Sequence, residues 1–159
     1  MRRYKVLLMM LVLTSCKNNS SMMDNTATYA IRLKPGTDLQ LGIEKAVADY
    51  HIQAGWIATS VGSLTQYNIR FANQPGGNTC DGHFEIVSLT GTVSINGSHL
   101  HISVSDSTGK TIGGHLLDSN IVYTTAEIVI LSSESLEFKR AKDGSTPWEE
   151  LQVQKADDK

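Results

Sequence analysis

Residues 88–105 read Ser88-Leu89-Thr90-Gly91-Thr92-Val93-Ser94-Ile95-Asn96-Gly97-Ser98-His99-Leu100-His101-Ile102-Ser103-Val104-Ser105. On both sides of Asn96-Gly97 small polar residues alternate with apolar ones, the period of a strand with one wet and one buried face. Asn-Gly between two such runs is the signature of a two-residue type I′ hairpin turn, since both central residues must accept positive φ. Closing the hairpin there pairs Ile95 with Ser98, Ser94 with His99, Thr92 with His101 and Thr90 with Ser103. One face then carries Ser88, Thr90, Thr92, Ser94, His99, His101, Ser103 and Ser105; the other carries Leu89, Gly91, Val93, Leu100, Ile102 and Val104. Both arms agree on the wet face, which determines the register.

The same pattern extends outward. Thr28–Leu33 alternates and stops at Lys34-Pro35-Gly36, a strand and a turn. Asp38 caps a helical stripe of Leu39, Ile43, Ala46, Val47 and Tyr50 that runs to about Ile52 and is ended by Gly55. Strands are expected over about 56–64 and 67–71. Asn73–Gly82, with Pro75-Gly76-Gly77-Asn78, reads as a loop. Further strands follow near 84–95, 98–105, 111–117, 121–131 and 135–140. Residues 142–159 are charged, with Trp148 and Leu151 as the sizeable apolar anchors, and read as a short helix or a frayed tail. With 159 residues, 40% hydrophobic and 19% charged, the chain suits one globular domain.

The N-terminus has its own logic. Met1-Arg2-Arg3-Tyr4-Lys5 is a basic n-region, and Val6–Leu13 is an apolar run too short to span a bilayer but suited to a signal peptide. Leu13-Thr14-Ser15-Cys16 resembles the lipobox of bacterial lipoproteins. That resemblance implies a leader over 1–15, lipid on Cys16, a polar tether over 16–26 and a place in the cell envelope, held at a membrane surface without crossing it. The alternative is an uncleaved N-terminal anchor, or a start assigned too early. Of the 14 basic residues, removal of Arg2, Arg3 and Lys5 would leave 11 against 16 acidic ones, a net charge of −5. Such a balance argues against a nucleic-acid-coating protein. Cys80 would then be the only cysteine thiol left without a partner in its own chain.

Three histidines carry the most chemical information. His99 and His101, two apart on a strand, point to the polar face. If the next hairpin pairs Ser105 with Thr111, His101 stands opposite His115, which follows Gly113-Gly114. Three imidazoles from two strands make a first shell for zinc or another late first-row divalent metal, leaving a position for water. The competing reading is three polar residues on a wet face or at a subunit contact. Glu85 falls on the apolar parity of its strand, so it is either a buried paired carboxylate or the end of the pairing; beside the histidines of a neighbouring subunit it would serve as a general base or a fourth ligand. Cys80-Asp81-Gly82-His83 has metal-like spacing in an expected loop, which makes His83 a further candidate. His51 suits a favourable charge at the helix C-terminus. Neither a nucleophile elbow nor a phosphate loop occurs.

Several blocks in order resemble the plant and prokaryote conserved (PPC) domain: Gly82-His83-Phe84-Glu85-Ile86-Val87-Ser88-Leu89-Thr90-Gly91-Thr92-Val93, His99-Leu100-His101-Ile102-Ser103, Gly113-Gly114-His115-Leu116, Val61-Gly62-Ser63-Leu64 and Thr124–Ile130. The resemblance spans about 27–141. It implies an α/β (α+β) fold, a mostly antiparallel β-sheet sandwich packed against one or two helices, assembled as a homotrimer. It also implies that the His-x-His…Gly-Gly-His pattern belongs to the prokaryotic members. In plants the domain follows AT-hook peptides and carries a DNA-binding label. Here there is no Arg-Gly-Arg-Pro hook, so that label does not transfer as a function. The expectations for function are, in order, a trimeric metal- or small-ligand-binding lipoprotein that could be a hydrolase, a non-catalytic protein-interaction module, and a DNA-binding protein.

Overall fold

The computed structural model describes residues 25–156. The expected leader, the lipid-bearing Cys16 and the tether as far as residue 24 lie outside the described residues. In chain order the elements are β1 (Thr26–Leu33), α1 (Leu39–Asp49), β2 (Gly55–Arg70), β3 (Asn78–Val93), β4 (His99–Ser105), β5 (Thr111–Leu116), β6 (Ile121–Ser133), β7 (Leu136–Ala141) and β8 (Glu150–Lys155). Six strands form one sheet in the order β1-β6-β2-β3-β4-β5, and β7 and β8 form a separate ribbon. Every pairing is antiparallel. The fold is therefore mostly antiparallel sheet with one short helix among the described residues.

The central strand, β2, serves several neighbours because it is sixteen residues long. It pairs with β3 and β6 along its length, and its last residues, Ile69 and Arg70, pair with Leu116 and His115 of β5. Strands β2, β3, β4 and β5 thus close on themselves. Two residues make that closure possible. A Cβ on Gly114 would lie 2.5 Å from the Arg70 carbonyl oxygen, so the approach of β5 to β2 requires glycine. Asn120 is fully buried, and its carboxamide satisfies both backbone groups of Asn68. Nδ2 donates to the carbonyls of Asn68 (3.0 Å) and Leu117 (2.7 Å), while Oδ1 accepts from the Asn68 N–H at 3.1 Å.

The helix forms where the periodicity places it. Asp38 caps it by accepting from the Leu41 N–H at 3.0 Å, and the same carboxylate accepts from the Ser119 N–H. One side chain therefore ties the helix start to the turn before β6. Leu39, Ile43 and Val47 belong to one buried cluster with Leu89, Val93, Leu100, Ile102 and Val104. The helix ends earlier than Gly55: His51 itself adopts a left-handed conformation at φ 54° after the cap Tyr50, and Gly55 opens β2. Tyr50 is exposed and rests against Tyr29, with ring centroids 4.8 Å apart.

Four readings of the sequence need correction. The expected strands 56–64 and 67–71 are one strand with an irregularity between Leu64 and Gln66. Asn78–Gly82 is the start of β3 rather than a loop, because it pairs back onto β2. The 88–105 hairpin turns one residue earlier than Asn-Gly suggests. Ser94 and Gly97 exchange backbone hydrogen bonds around Ile95-Asn96, so Thr92 pairs with His99 and Thr90 with His101. The Ser94 hydroxyl and Asn96 amide both donate to the Phe138 carbonyl, at 3.1 and 2.9 Å, which fixes the turn on β7. A shift of two residues leaves every side chain on its expected face. The fourth concerns the tail over 142–159. Glu150–Lys155 is a strand, β8, paired with β7 so that Val153 stands opposite the buried Phe138. Its local pattern is weak, and the pairing decides its conformation.

Replacing Asn120 by alanine would take the partner from the Asn68 N–H and from the Leu117 carbonyl at the point of closure, while the Asn68 carbonyl keeps the Leu117 N–H. We expect Asn120→Ala to lower stability by about 2–4 kcal/mol, with each orphaned group costing about 1–3 kcal/mol. Urea denaturation of the variant beside the wild type measures this.

Candidate metal centre

His99 and His101 leave β4 on the same side, and the register His101↔His115 brings the third ring in from β5. The alignment Ser105↔Thr111 that the sequence requires for this contact is present. One ligand atom from each ring lies within 4.8 Å of the others. The Nε2 atoms of His99 and His101 are 3.3 Å apart. That is about the edge of a tetrahedron with bonds of 2.0–2.1 Å, the length of a zinc–imidazole bond. The ring centroids are separated by 5.0 to 5.7 Å and the planes are steeply inclined, so the rings do not stack.

The surroundings favour the neutral form of His115 and His99. Partial burial, then the neighbouring His99, then Arg70, push the His115 pKa from 6.5 down to about 4. His99 is also lowered, first by burial and then by His101 and Arg140. Neutral imidazole is the form that ligates metal. His115 Nδ1 is in addition buried without a hydrogen-bond partner. An unpartnered buried nitrogen in a cluster of imidazoles is a donor set that fits a divalent ion. No carboxylate belongs to the cluster, so the ion's charge would be balanced by none of its ligands.

The other candidates lie apart. The register between β3 and β4 steps from Ile86↔Val104 to Ser88↔Ser103, leaving Val87 as an extra residue. This bulge reverses the alternation of β3, so Glu85 is exposed opposite Ser105 and is not a buried carboxylate. His83 is exposed and packs its ring on Tyr123, with centroids 4.5 Å apart. Within the chain neither Glu85 nor His83 joins the three histidines. Cys80 is an exposed thiol on β3.

Sequence reasoning missed the residues around the rings. His99 and His115 border a groove of about 680 Å³ whose walls include Arg70, Arg140 and Trp148. Arg70 pairs across strands with His115. Arg140 comes from β7, and its Nη2 donates to Thr92 Oγ1 at 2.7 Å, with Thr92 standing opposite His99. Trp148 covers the Arg70 guanidinium at 5.7 Å from the ring centroid. Nothing local marked these side chains, because β7, the following turn and the end of β2 converge only in three dimensions.

Residues 20–134 match the family model of the Plants and Prokaryotes Conserved (PCC) domain. The chain is 40% identical over 126 residues to the bifunctional protein GlmU of a Synechococcus strain, covering 79% of this chain and 20% of that protein. It thus spans about a fifth of the length of the curated relatives it matches. A hypothetical protein of Salmonella has a solved structure with TM-score 0.81 and 36% identity over 83% of this chain and 96% of that one. A metal-containing protein of Archaeoglobus fulgidus matches with TM-score 0.67 and 25% identity over 79% and 93%.

The depressed histidines link stability to pH. Both bind protons less readily when folded than when unfolded, so their contribution is complete above about pH 6.5. It is lost as the pH falls towards the folded His115 pKa of about 4. We expect the metal-free chain to lose denaturant resistance between pH 6.5 and 4, and His115→Gln to flatten that dependence. Urea midpoints at pH 7, 5.5 and 4.5 test it.

Proposed function

Because the chain belongs to the Plants and Prokaryotes Conserved domain family, we propose that it is a metal-binding member in which His99, His101 and His115 hold one divalent ion, zinc by preference. The convergence of three imidazoles within 4.8 Å carries this reading. The name of the Archaeoglobus relative as a metal-containing protein supports it. Borderline-soft nitrogen donors without carboxylate favour zinc or a late first-row ion over magnesium or calcium. Three protein ligands leave a coordination position open, and the groove gives a small molecule access to it. A bound divalent ion would supply Lewis acidity there. The chain's own side chains would place the ligand: Arg70 and Arg140 flank the rings, and Trp148 offers an apolar wall.

The same proposal includes a lipid on Cys16 and residence in the cell envelope, supported by the order of basic residues, apolar run and lipobox-like Leu13–Cys16. It also includes assembly as a homotrimer. In support, β1 is an edge strand. Val61 and Val87 are each 57% exposed on the sheet. Edges and apolar surface of this kind are what closed assemblies cover. The net charge of −2 and the lack of an AT-hook speak against nucleic acid as a partner.

Elemental analysis of the purified full chain tests the central claim. We expect about one zinc per chain, and almost none in the triple variant His99→Ala/His101→Ala/His115→Ala. His101→Ala alone should weaken zinc binding by about 100-fold or more, since even partners outside a metal's own ligands are worth 10–100-fold. Absence of metal in the wild type after reloading would make the polar face a protein-interaction surface instead.

A further inference from the structure

Arg70 and Arg140 have no ion-pair partner. Among the described residues, ion pairs are confined to Lys45–Asp49 and Lys139–Glu137. Both guanidiniums are half-buried, and a half-buried arginine ordinarily faces a carboxylate or a phosphate. Each is attached to the cluster through one strand contact, Arg70 beside His115 and Arg140 on Thr92 opposite His99. Arg140 has five N–H donors, of which one is committed to Thr92. Arg70 is held from above by the Trp148 ring, which orients a guanidinium without using its in-plane donors.

The charge of the groove points the same way. Lys142 adds a third cation to its lining, against Glu149 and Glu150. Glu150 also accepts from the Thr146 hydroxyl at 2.5 Å and its charge acts on Arg140, so three cations stand against two carboxylates in the lining. The mouth is thus locally positive on a chain whose net charge is −2. A divalent ion on three neutral imidazoles would add two uncompensated positive charges at its floor. Such a site is incomplete until an anion fills it.

We propose that Arg70 and Arg140 form an oxyanion-binding subsite beside the histidines, and that the groove takes a small organic anion whose carboxylate or phosphate is held by the two guanidiniums while a second oxygen faces the rings. This rests on the metal reading for the second oxygen but not for the first. Planar guanidinium forks match both carboxylate and phosphate oxygens, and lysine would not reproduce that geometry. The groove of about 680 Å³ has the size of a metabolite site. Trp148 is 65% exposed at its edge and offers an apolar face to the rest of the ligand.

The test is calorimetric titration of the zinc-treated full chain with malonate and, separately, with inorganic phosphate, with zinc content measured on the same samples. We expect Arg140→Gln and Arg70→Gln to weaken binding at least tenfold while zinc content stays at the wild-type level. Arg140→Lys keeps the charge but not the fork and should lose most of the affinity, which guards against a glutamine variant that does not fold. Binding of malonate alone assigns a carboxylate ligand, of phosphate alone a phosphate ester; either supports the subsite. Equal affinity in the wild type and the arginine variants, or no binding of either anion by the zinc-bearing chain, overturns it. If the chain takes up no zinc, the histidine reading falls by itself. The metal-free titration then decides the subsite: arginine-dependent phosphate binding supports it, and no binding overturns it.

Discussion

Closure of β2 onto β5 is the constraint on which the rest of the structure depends. A sheet that ended at β5 would leave His115 on an edge, free to shift against β4. Pairing Arg70 with His115 pins β5 from its other side as well. The pairing needs a glycine at 114, where a side chain would strike the Arg70 carbonyl. It also needs the buried Asn120, whose amide bonds both backbone groups of Asn68 and the Leu117 carbonyl at the start of the β5–β6 turn. Asp38 reaches the same turn through Ser119, so the helix cap and the site share one anchor. Two side chains with ordinary structural duties thereby determine where an imidazole sits.

What could be read from the sequence follows the range of the interaction that decides it. The face of each strand in 88–105 was legible because alternation is a local property, and a two-residue shift in register does not disturb it. The register itself was not, because Ser94 and Asn96 bind the Phe138 carbonyl forty residues away and draw the turn one residue back. The His101↔His115 contact was legible because a short turn leaves few ways to join β4 and β5. Glu85 was misread for a specific reason. An alternation argument counts residues, and the extra Val87 spoils the count. Arg70, Arg140 and Trp148 were invisible, since each belongs to a different element and they meet only through the β2–β5 closure and the β7–β8 ribbon.

The histidine cluster is costly as a purely structural feature. With the rings packed at centroid distances of 5.0–5.7 Å, burial and the neighbouring imidazoles disfavour protonation of His115 and His99, and His115 keeps a buried nitrogen without a partner. An apolar or hydroxyl-bearing residue at 115 would avoid both penalties while filling the same space. Local arrangements that work against stability in this way are expected where a ligand completes them. The neighbouring arginines sharpen the point, because cations beside imidazoles would be an odd choice for a resting protein surface. They become consistent once the rings are regarded as neutral donors and the guanidiniums as waiting for an anion.

The site also divides along the chain. The three histidines and Arg70 lie within residues 20–134, the stretch that matches the family. Arg140 and Trp148 lie beyond it, on β7 and on the turn that leads into β8. On the proposed reading the inner strands hold the ion and contribute Arg70 to the ligand, while the ribbon and its turn contribute Arg140 and Trp148. Tying the ribbon to the hairpin turn through Phe138 makes this division mechanically sound, since Arg140 then keeps its distance to Thr92 whatever the rest of the turn does. A change in the ribbon or its turn would thus alter one wall of the groove with no repacking of the strands that hold the rings.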